Sequence, residues 1–142
     1  MRPGLQTEAV VSEHARGTFE VKMAPLPADD AGAAASIGRM SIDKQFQGDL
    51  EATSKGQMLS AMSSVKGSAG YVAMEKVNGT LMGRSGSFVL QHNGTMNRGV
   101  PQLIVSVVPD SGTDQLTGLS GVLEIIIEGG KHSYDFEYAL PS

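Results

Sequence analysis

The chain has 142 residues and contains no cysteine and no tryptophan. Without cysteine there is no disulfide framework, no thiolate nucleophile and no thiolate metal site. No tight His-x-His spacing joins His14, His92 and His132 with Glu75, so neither a zinc or iron site nor any cofactor is expected. There is no excess of positive charge. Fifteen acidic and eleven basic residues give a net charge of −4, which leaves no electrostatic footprint for nucleic acid. No apolar run approaches the roughly 18 residues of a membrane helix. The opening MRPGLQTEAVVSEHARG has no apolar core followed by a cleavage pattern, so no signal peptide is read and the cytoplasm is the expected location.

What the chain does have is glycine (eighteen) and methionine (eight), with aromatic residues at only 5%. Glycine inside a helix costs about 1 kcal/mol against alanine, so this many glycines argues against a helical protein. Spaced between short alternating runs, they suit turns and bulges. The length fits one domain able to bury about two thirds of its unfolded surface.

Residues 1–16 read as a lead-in segment with a further edge strand around Glu8–His14, and 17–142 as a single domain. GTFEVKMAP alternates, with Phe19, Val21 and Met23 on one face, and Pro25 ends it. LPADDAGAAA reads as an exposed loop. SIGRMSIDKQF, QGDLEATS and GQMLSAMSS resume the β pattern, the last two joined by a turn at Ser54-Lys55-Gly56. At Ala61–Ser68 a helical turn competes but is disfavoured by Ser and Gly. VPQLIVSVVP is short and apolar, as expected of a well-buried strand. VLEIIIE and KHSYDFEYAL flank Gly129-Gly130, a hairpin signal. In the last strand His132, Tyr134, Phe136, Tyr138 and Leu140 share one face. Nine or ten short strands without a long helix mean a sandwich or a closed antiparallel barrel.

The stretch Gly70–Gly94, GYVAMEKVNGTLMGRSGSFVLQHNG, concentrates the candidate working groups. A type I′ turn at Asn78-Gly79 places Tyr71, Ala73, Glu75 and Val77 on one face with Thr80, Met82 and Arg84. Glu75 and Arg84 then lie within reach of an ion pair. Gly83 and Gly86 suggest a bend or bulge. Phe88, Leu90 and His92 share a face that ends in a second turn at Asn93-Gly94, which puts His92 near a barrel mouth.

This run, with FQGDLEATSKGQML and VVPDSGTDQLTGLSG, resembles the bacterial domain of unknown function 3224 family over Gly17–Leu140. That family is similar to the allene oxide cyclase barrels of plants, and SGTDQLTGLSG is similar to their Gly-Thr-Gly…Gly-x-x-Gly connector. The resemblance implies an all-β fold with little helix: a closed antiparallel β-barrel of about eight strands around an apolar cavity, assembled as a homo-oligomer. It carries over the cavity and not the catalysis.

Two polar pairs are the candidates for chemistry. Glu75 and His92 are candidate catalytic residues, because a carboxylate desolvated by apolar walls has a raised pKa and can exchange a proton near neutrality. Against this stands a Glu75–Arg84 pair on the outer wall. Tyr71, Phe88, Leu90, His92, His132, Tyr134, Tyr138, Met58 and Met62 are candidate ligand-binding residues, since Tyr and His set one polar tip on an apolar body and Met adapts to irregular shapes. Against this stands a core that simply uses them as filler. Ser111-Gly112-Thr113 reads as a turn rather than an anion cradle. Ser85 and Ser87 have no adjacent base. The expected function is binding of a small apolar or amphipathic, fatty-acid-like molecule, with no nucleic-acid or membrane partner. The alternatives are a cyclase or isomerase in the same cavity, and a structural or interaction protein with a filled barrel.

Overall fold

A computed structural model describes residues 12–141. Eight strands follow one another: β1 (Glu13–Leu26), β2 (Gly38–Gly48), β3 (Leu50–Met62), β4 (Ala69–Leu81), β5 (Arg84–Asn97), β6 (Val100–Val107), β7 (Ser120–Glu128) and β8 (Lys131–Ala139). Each pairs antiparallel with the next, and β8 returns to β1, which closes an eight-stranded barrel. Closure removes the free sheet edge, the standing hazard of an all-β chain, wherever neighbouring strands pair. Helix among the described residues amounts to α1 (Asp30–Ala34), capped by Asp29 in the β1–β2 loop, and a 3₁₀ turn at Asp114–Leu116.

Directly opposed residues share a face, so the pairing register spells out the inner wall. One row is Val21, Lys44, Ser54, Val77 and Phe88. The next is Met23, Ile42, Gly56, Glu75, Leu90 and Val107, and above it stand Met40, Met58, Ala73, His92 and Val105.

The two ends of the barrel differ. The lower end, at the β2–β3 and β4–β5 turns, is filled by Phe46, Leu50, Leu81, Phe88, Phe136, Tyr134 and Tyr138, all buried. Phe88 stacks on Phe136 with centroids 5.8 Å apart, and Phe46 meets Tyr134 edge-on at 5.6 Å. The β6–β7 connector crosses beneath and adds Leu116 and Leu119 to this core. Where β6 has ended, the connector's side chains take over its hydrogen bonds to β5. Ser111 Oγ, Thr113 Oγ1 and Gln115 Oε1 accept from the backbone N–H groups of Val89, Ser87 and Ser85 at 3.0, 3.0 and 2.8 Å. At the upper end the wall loosens. β6 meets β7 only at Ser106–Val122, and β1 parts from β8 above Thr18–Ser133.

The expected turns fall elsewhere. Asn78-Gly79, Asn93-Gly94 and Ser54-Lys55-Gly56 all lie inside continuous strands. The chain reverses instead at Met82-Gly83 and Arg98-Gly99, whose φ values of 48° and 84°, and 50° and 89°, make two-residue hairpins. Gly83 is thus a turn residue rather than a bend within a strand. With three expected turns absorbed into strands and two reversals placed elsewhere, the strands number eight among the described residues rather than nine or ten. Gly129-Gly130 is a hairpin turn as expected. Pro25 does not end β1, which continues to Leu26, and β1 begins at Glu13 within the expected lead-in; residues 1–11 lie outside the described residues. β6 is not well buried. Val100 and Ile104 are 66% and 53% exposed, and only Val105 and Val107 are buried, because the strand's upper half rises past its β7 neighbour.

Gly79 stands in a strand because of what faces it. A β-carbon there would lie 2.5 Å from Ala52 Cβ. Asn78 beside it points outward and is exposed. Gly79→Ala is therefore expected to destabilise the barrel by about 1–3 kcal/mol through overpacking. Asn78→Thr should stay within about 0.5 kcal/mol. Denaturant unfolding of the two variants measures the contrast, which a turn at these residues would reverse.

Candidate functional site

Four strands each send one polar side chain into the middle of the barrel. Lys44 alternates with Ile42 and Phe46 on β2, Ser54 with Ala52 and Gly56 on β3, Glu75 with Ala73 and Val77 on β4, and His92 with Leu90 and Gly94 on β5. The period-2 geometry of a strand turns all four inward. All are buried. Lys44 Nζ and His92 Nε2 both donate to Glu75 Oε1 at 2.9 Å, and Ser54 Oγ donates to Glu75 Oε2 at 2.7 Å. Lys44 Nζ also sits over the rings of Phe19 and Phe46, 5.0 and 5.7 Å from their centroids, so its remaining charge faces aromatic π-clouds.

Toward the upper end the chain of contacts continues. His92 Nδ1 lies 3.5 Å from the Tyr71 hydroxyl, at the outer limit of a hydrogen bond. Tyr71 is half-buried, and its ring lies across Gly94, where a β-carbon would come within 2.9 Å of Tyr71 Cδ1. Glycine at 94 leaves room for the ring, which is tilted 51° to the His92 imidazole with centroids 6.2 Å apart. The order from the packed end to the open end is Lys44, Glu75, His92, Tyr71.

Burial alone would push the Glu75 carboxyl up. The hydrogen bond from His92, the charge and hydrogen bond of Lys44, and the Ser54 hydroxyl outweigh it and hold the carboxyl at about 2. The expectation of a raised carboxyl is thus reversed, because three donors converge on it. Glu75 is a fixed anion near neutrality. Its chemical capacity is to orient the His92 imidazole and to neutralise Lys44. The Tyr71 hydroxyl shifts upward, first by desolvation and then by the Glu75 charge.

The expected residues divide. Glu75, His92 and Tyr71 come together on the inner wall. Arg84 does not pair with Glu75; it is exposed beside the β4–β5 turn, six residue pairs along the ladder from the Glu75–Leu90 pair. Met58 is half-buried one row above Glu75. Met62 is 83% exposed at the end of β3. Phe88, Leu90, Tyr134 and Tyr138 are buried core residues. The Tyr134 hydroxyl is spent on backbone, accepting from Leu50 N–H and donating to the Gln47 carbonyl, both at 2.9 Å. His132 stands apart from Glu75, beside Phe19 with ring centroids 5.3 Å apart. It lines a depression of about 470 Å³ where β1 leaves β8. His92 is not at a turn; it is mid-strand.

Lys44 and Ser54 were not among the expected site residues. Lys44 had a readable signal, since in Ile42-Asp43-Lys44-Gln45-Phe46 it falls on the apolar face. Among the described residues no three His, Cys, Asp or Glu side chains stand together as a metal site would require. No helix there is long and apolar enough to cross a membrane.

The fold and its interior define a small closed antiparallel barrel with a buried ionic cluster. Its sequence matches, over residues 15–138, the model described as "Protein of unknown function (DUF3224)", and the chain belongs to that family. It is similar to the crystal structure of a DUF3224 protein of unknown function from Shewanella oneidensis MR-1, with a TM-score of 0.85 and 50% identity, over 93% of this chain and 100% of the other. No curated protein matches.

The carboxyl held at about 2 makes a specific acid limb. A group depressed in the folded state stabilises above its unfolded value and loses that stabilisation as pH falls through the folded one. From the ordinary value of 4.5 to about 2, Glu75 contributes on the order of 3 kcal/mol. Stability measured by denaturant unfolding should therefore decline between about pH 4.5 and 2. Glu75→Gln should lose about 3–5 kcal/mol at neutral pH, by leaving Lys44 buried without its counter-charge, and should flatten that part of the acid limb. An unchanged limb in the variant would assign it to other carboxylates.

Proposed function

We propose that this barrel binds a small apolar or amphipathic molecule in its upper half, with the ligand's polar end at Tyr71 and His92. The observation that carries the reading is a gradient of burial along one inward face. Below Glu75 the inward side chains are sealed: Phe46, Leu50, Val77 and Leu81 are each at 0% exposure. Above it Met40, Met58, Ser60 and Tyr71 are only half-buried, and Leu103 is 41% exposed. A half-open apolar wall with a few convergent polar groups at its base is the usual form of a small-molecule site. An eight-stranded barrel has room for one such ligand. The likeness of the connector to allene oxide cyclase barrels belongs to this proposal, as does the cytoplasmic setting. A cyclase or isomerase reading would have to move its proton through His92 and Tyr71, because Glu75 is held ionised.

Titration with Nile red, a neutral environment-sensitive dye, should give a saturable and displaceable signal. Mass spectrometry under non-denaturing conditions should find a small molecule carried through purification; an isomerised product of an added ligand would report turnover. A dye signal that never saturates, together with a bare protein mass, would sink the binding reading and leave a side-chain-filled structural barrel.

The homo-oligomer is proposed on a separate surface. Leu59, Val72, Asn93 and Ile104 form one outward row across β3–β6, flanked by Met74 and Val122. Leu59, Val72, Met74, Ile104 and Val122 are each 45–53% exposed, and this row and its flanking pair carry no charge to repel a second copy of a −4 chain. Val72→Asp with Ile104→Asp should reduce the mass seen by light scattering to that of one chain; a wild-type protein already of that mass refutes the assembly.

A further inference from the structure

We infer that the ligand's polar end is a hydrogen-bond donor, neutral or cationic, as in an alcohol or an amine, and that the site rejects carboxylates. This rests on the ligand-binding reading above and names its chemical class.

The first support is the order of charges. Lys44 lies on the packed side of Glu75, in the row of Val21 and Phe88, and spends its ammonium on Glu75 and on two aromatic rings. The carboxylate lies between it and the open end. A ligand entering from above therefore meets the negative end of the pair first. His92 and Tyr71 stand between ligand and carboxylate. Glu75 and Lys44 already cancel, and a second cation in the same desolvated layer would stand without a partner. The Tyr71 hydroxyl is shifted upward first by desolvation and then by the Glu75 charge, and the second of these has the same sign.

The second support is hydrogen-bond polarity. Glu75 is an ionised acceptor, so His92 Nε2 must be the donor of that bond. In the tautomer that carries its proton on Nε2, Nδ1 is an acceptor, and the Tyr71 hydroxyl is the group facing it. With its proton turned toward His92, the Tyr71 oxygen presents lone pairs to the upper half. An alcohol or ammonium donates to those lone pairs. A carboxylate, which only accepts, meets another acceptor. At the upper start of β2 the half-buried Arg39 donates to the Pro27 carbonyl and to Gln57 Oε1. The other charges near the upper rim are Lys66 and Arg98 on the strand connections and Asp29, Asp30, Glu128 and Lys131 around the other tips. They are exposed and of mixed sign, and salt at about 0.15 M screens such charges beyond roughly 8 Å.

The test compares three eight-carbon probes, octanol, octylamine and octanoate, as competitors of bound Nile red at pH 7.5 and about 0.15 M salt. Octanol and octylamine should displace the dye at concentrations about tenfold or more below octanoate. Tyr71→Phe, which leaves net charge unchanged, removes the hydroxyl lone pairs and should narrow the gap by about threefold or more while the Glu75 charge keeps octanoate the weakest of the three, with its fold checked by thermal melting. Octanoate binding as well as octanol in the wild type would overturn the inference while leaving the binding reading intact. A gap of undiminished size in Tyr71→Phe would overturn the assignment to Tyr71. Absence of saturable dye binding, with none of the three probes bound, would instead overturn the ligand-binding reading on which the inference stands.

Discussion

One carboxylate in the middle of a β-barrel governs much of what surrounds it. Glu75 is 1% exposed, a position where a bare charge costs many kcal/mol. It is tolerable because three donors reach its two oxygens, and those donors come from three other strands. The bond set therefore ties β2, β3, β4 and β5 to one another around one side chain. A slip of one residue in any of the four would turn its polar group to solvent and leave the remainder buried without a partner. The alternating apolar faces allow little ambiguity along β8, but β3 and β4 carry glycine on the inner wall at Gly56 and Gly79, where apolar patterning is weakest. The ionic cluster sits beside those positions and supplies the specificity that the missing side chains cannot.

How much of this was legible depends on the kind of signal. β8 was readable because Tyr134, Phe136 and Tyr138 alternate cleanly and Gly129-Gly130 supplies its turn. The two Asn-Gly pairs misled because the dipeptide is a strong local turn former, yet here its Asn faces outward and its Gly fills a crowded inner position. The real turns, Met82-Gly83 and Arg98-Gly99, place Met and Arg at positive φ, which local preference does not favour; the closed ring and its register impose them. That error displaced the site as well. With a turn at Asn78-Gly79, Arg84 lands beside Glu75. With β4 running on to Leu81, the partners of Glu75 become Lys44, Ser54 and His92, from strands that no local pattern brings together. Ser54 was hidden by the turn assigned at Ser54-Lys55-Gly56, and Lys44 by the habit of reading lysine as solvent-facing.

The asymmetry of the barrel follows from its connections. At the lower end the long connector turns back under the strands, contributes Leu116 and Leu119, and finishes the hydrogen bonds of β5 with side chains instead of a strand. That end is dry and filled with aromatic rings. The upper end has short hairpin tips and a five-residue helix, and no comparable plug among the described residues. β6 and β7, and β1 and β8, pair below and part above, so the β7–β8 hairpin tip is held chiefly by its own ladder. Such a wall gives an interior that is rigid where the ionic cluster is anchored and accessible one layer higher.

A buried ion pair is weak grounds for stability, since well-packed apolar residues of similar volume often serve as well or better. Pinning the register would account for Lys44, Ser54 and Glu75, which bond to one another. It does not account for His92 and Tyr71. The imidazole spends one nitrogen on Glu75 and turns the other toward the half-exposed hydroxyl of Tyr71, whose ring is accommodated by glycine at position 94. A register lock ends at Glu75, whereas this chain of contacts runs on, one row at a time, toward the part of the barrel that side chains leave unsealed. The excess of polar structure on the open side over what folding requires is what gives the site a direction, inward from the upper mouth and ending at a carboxylate that is already committed.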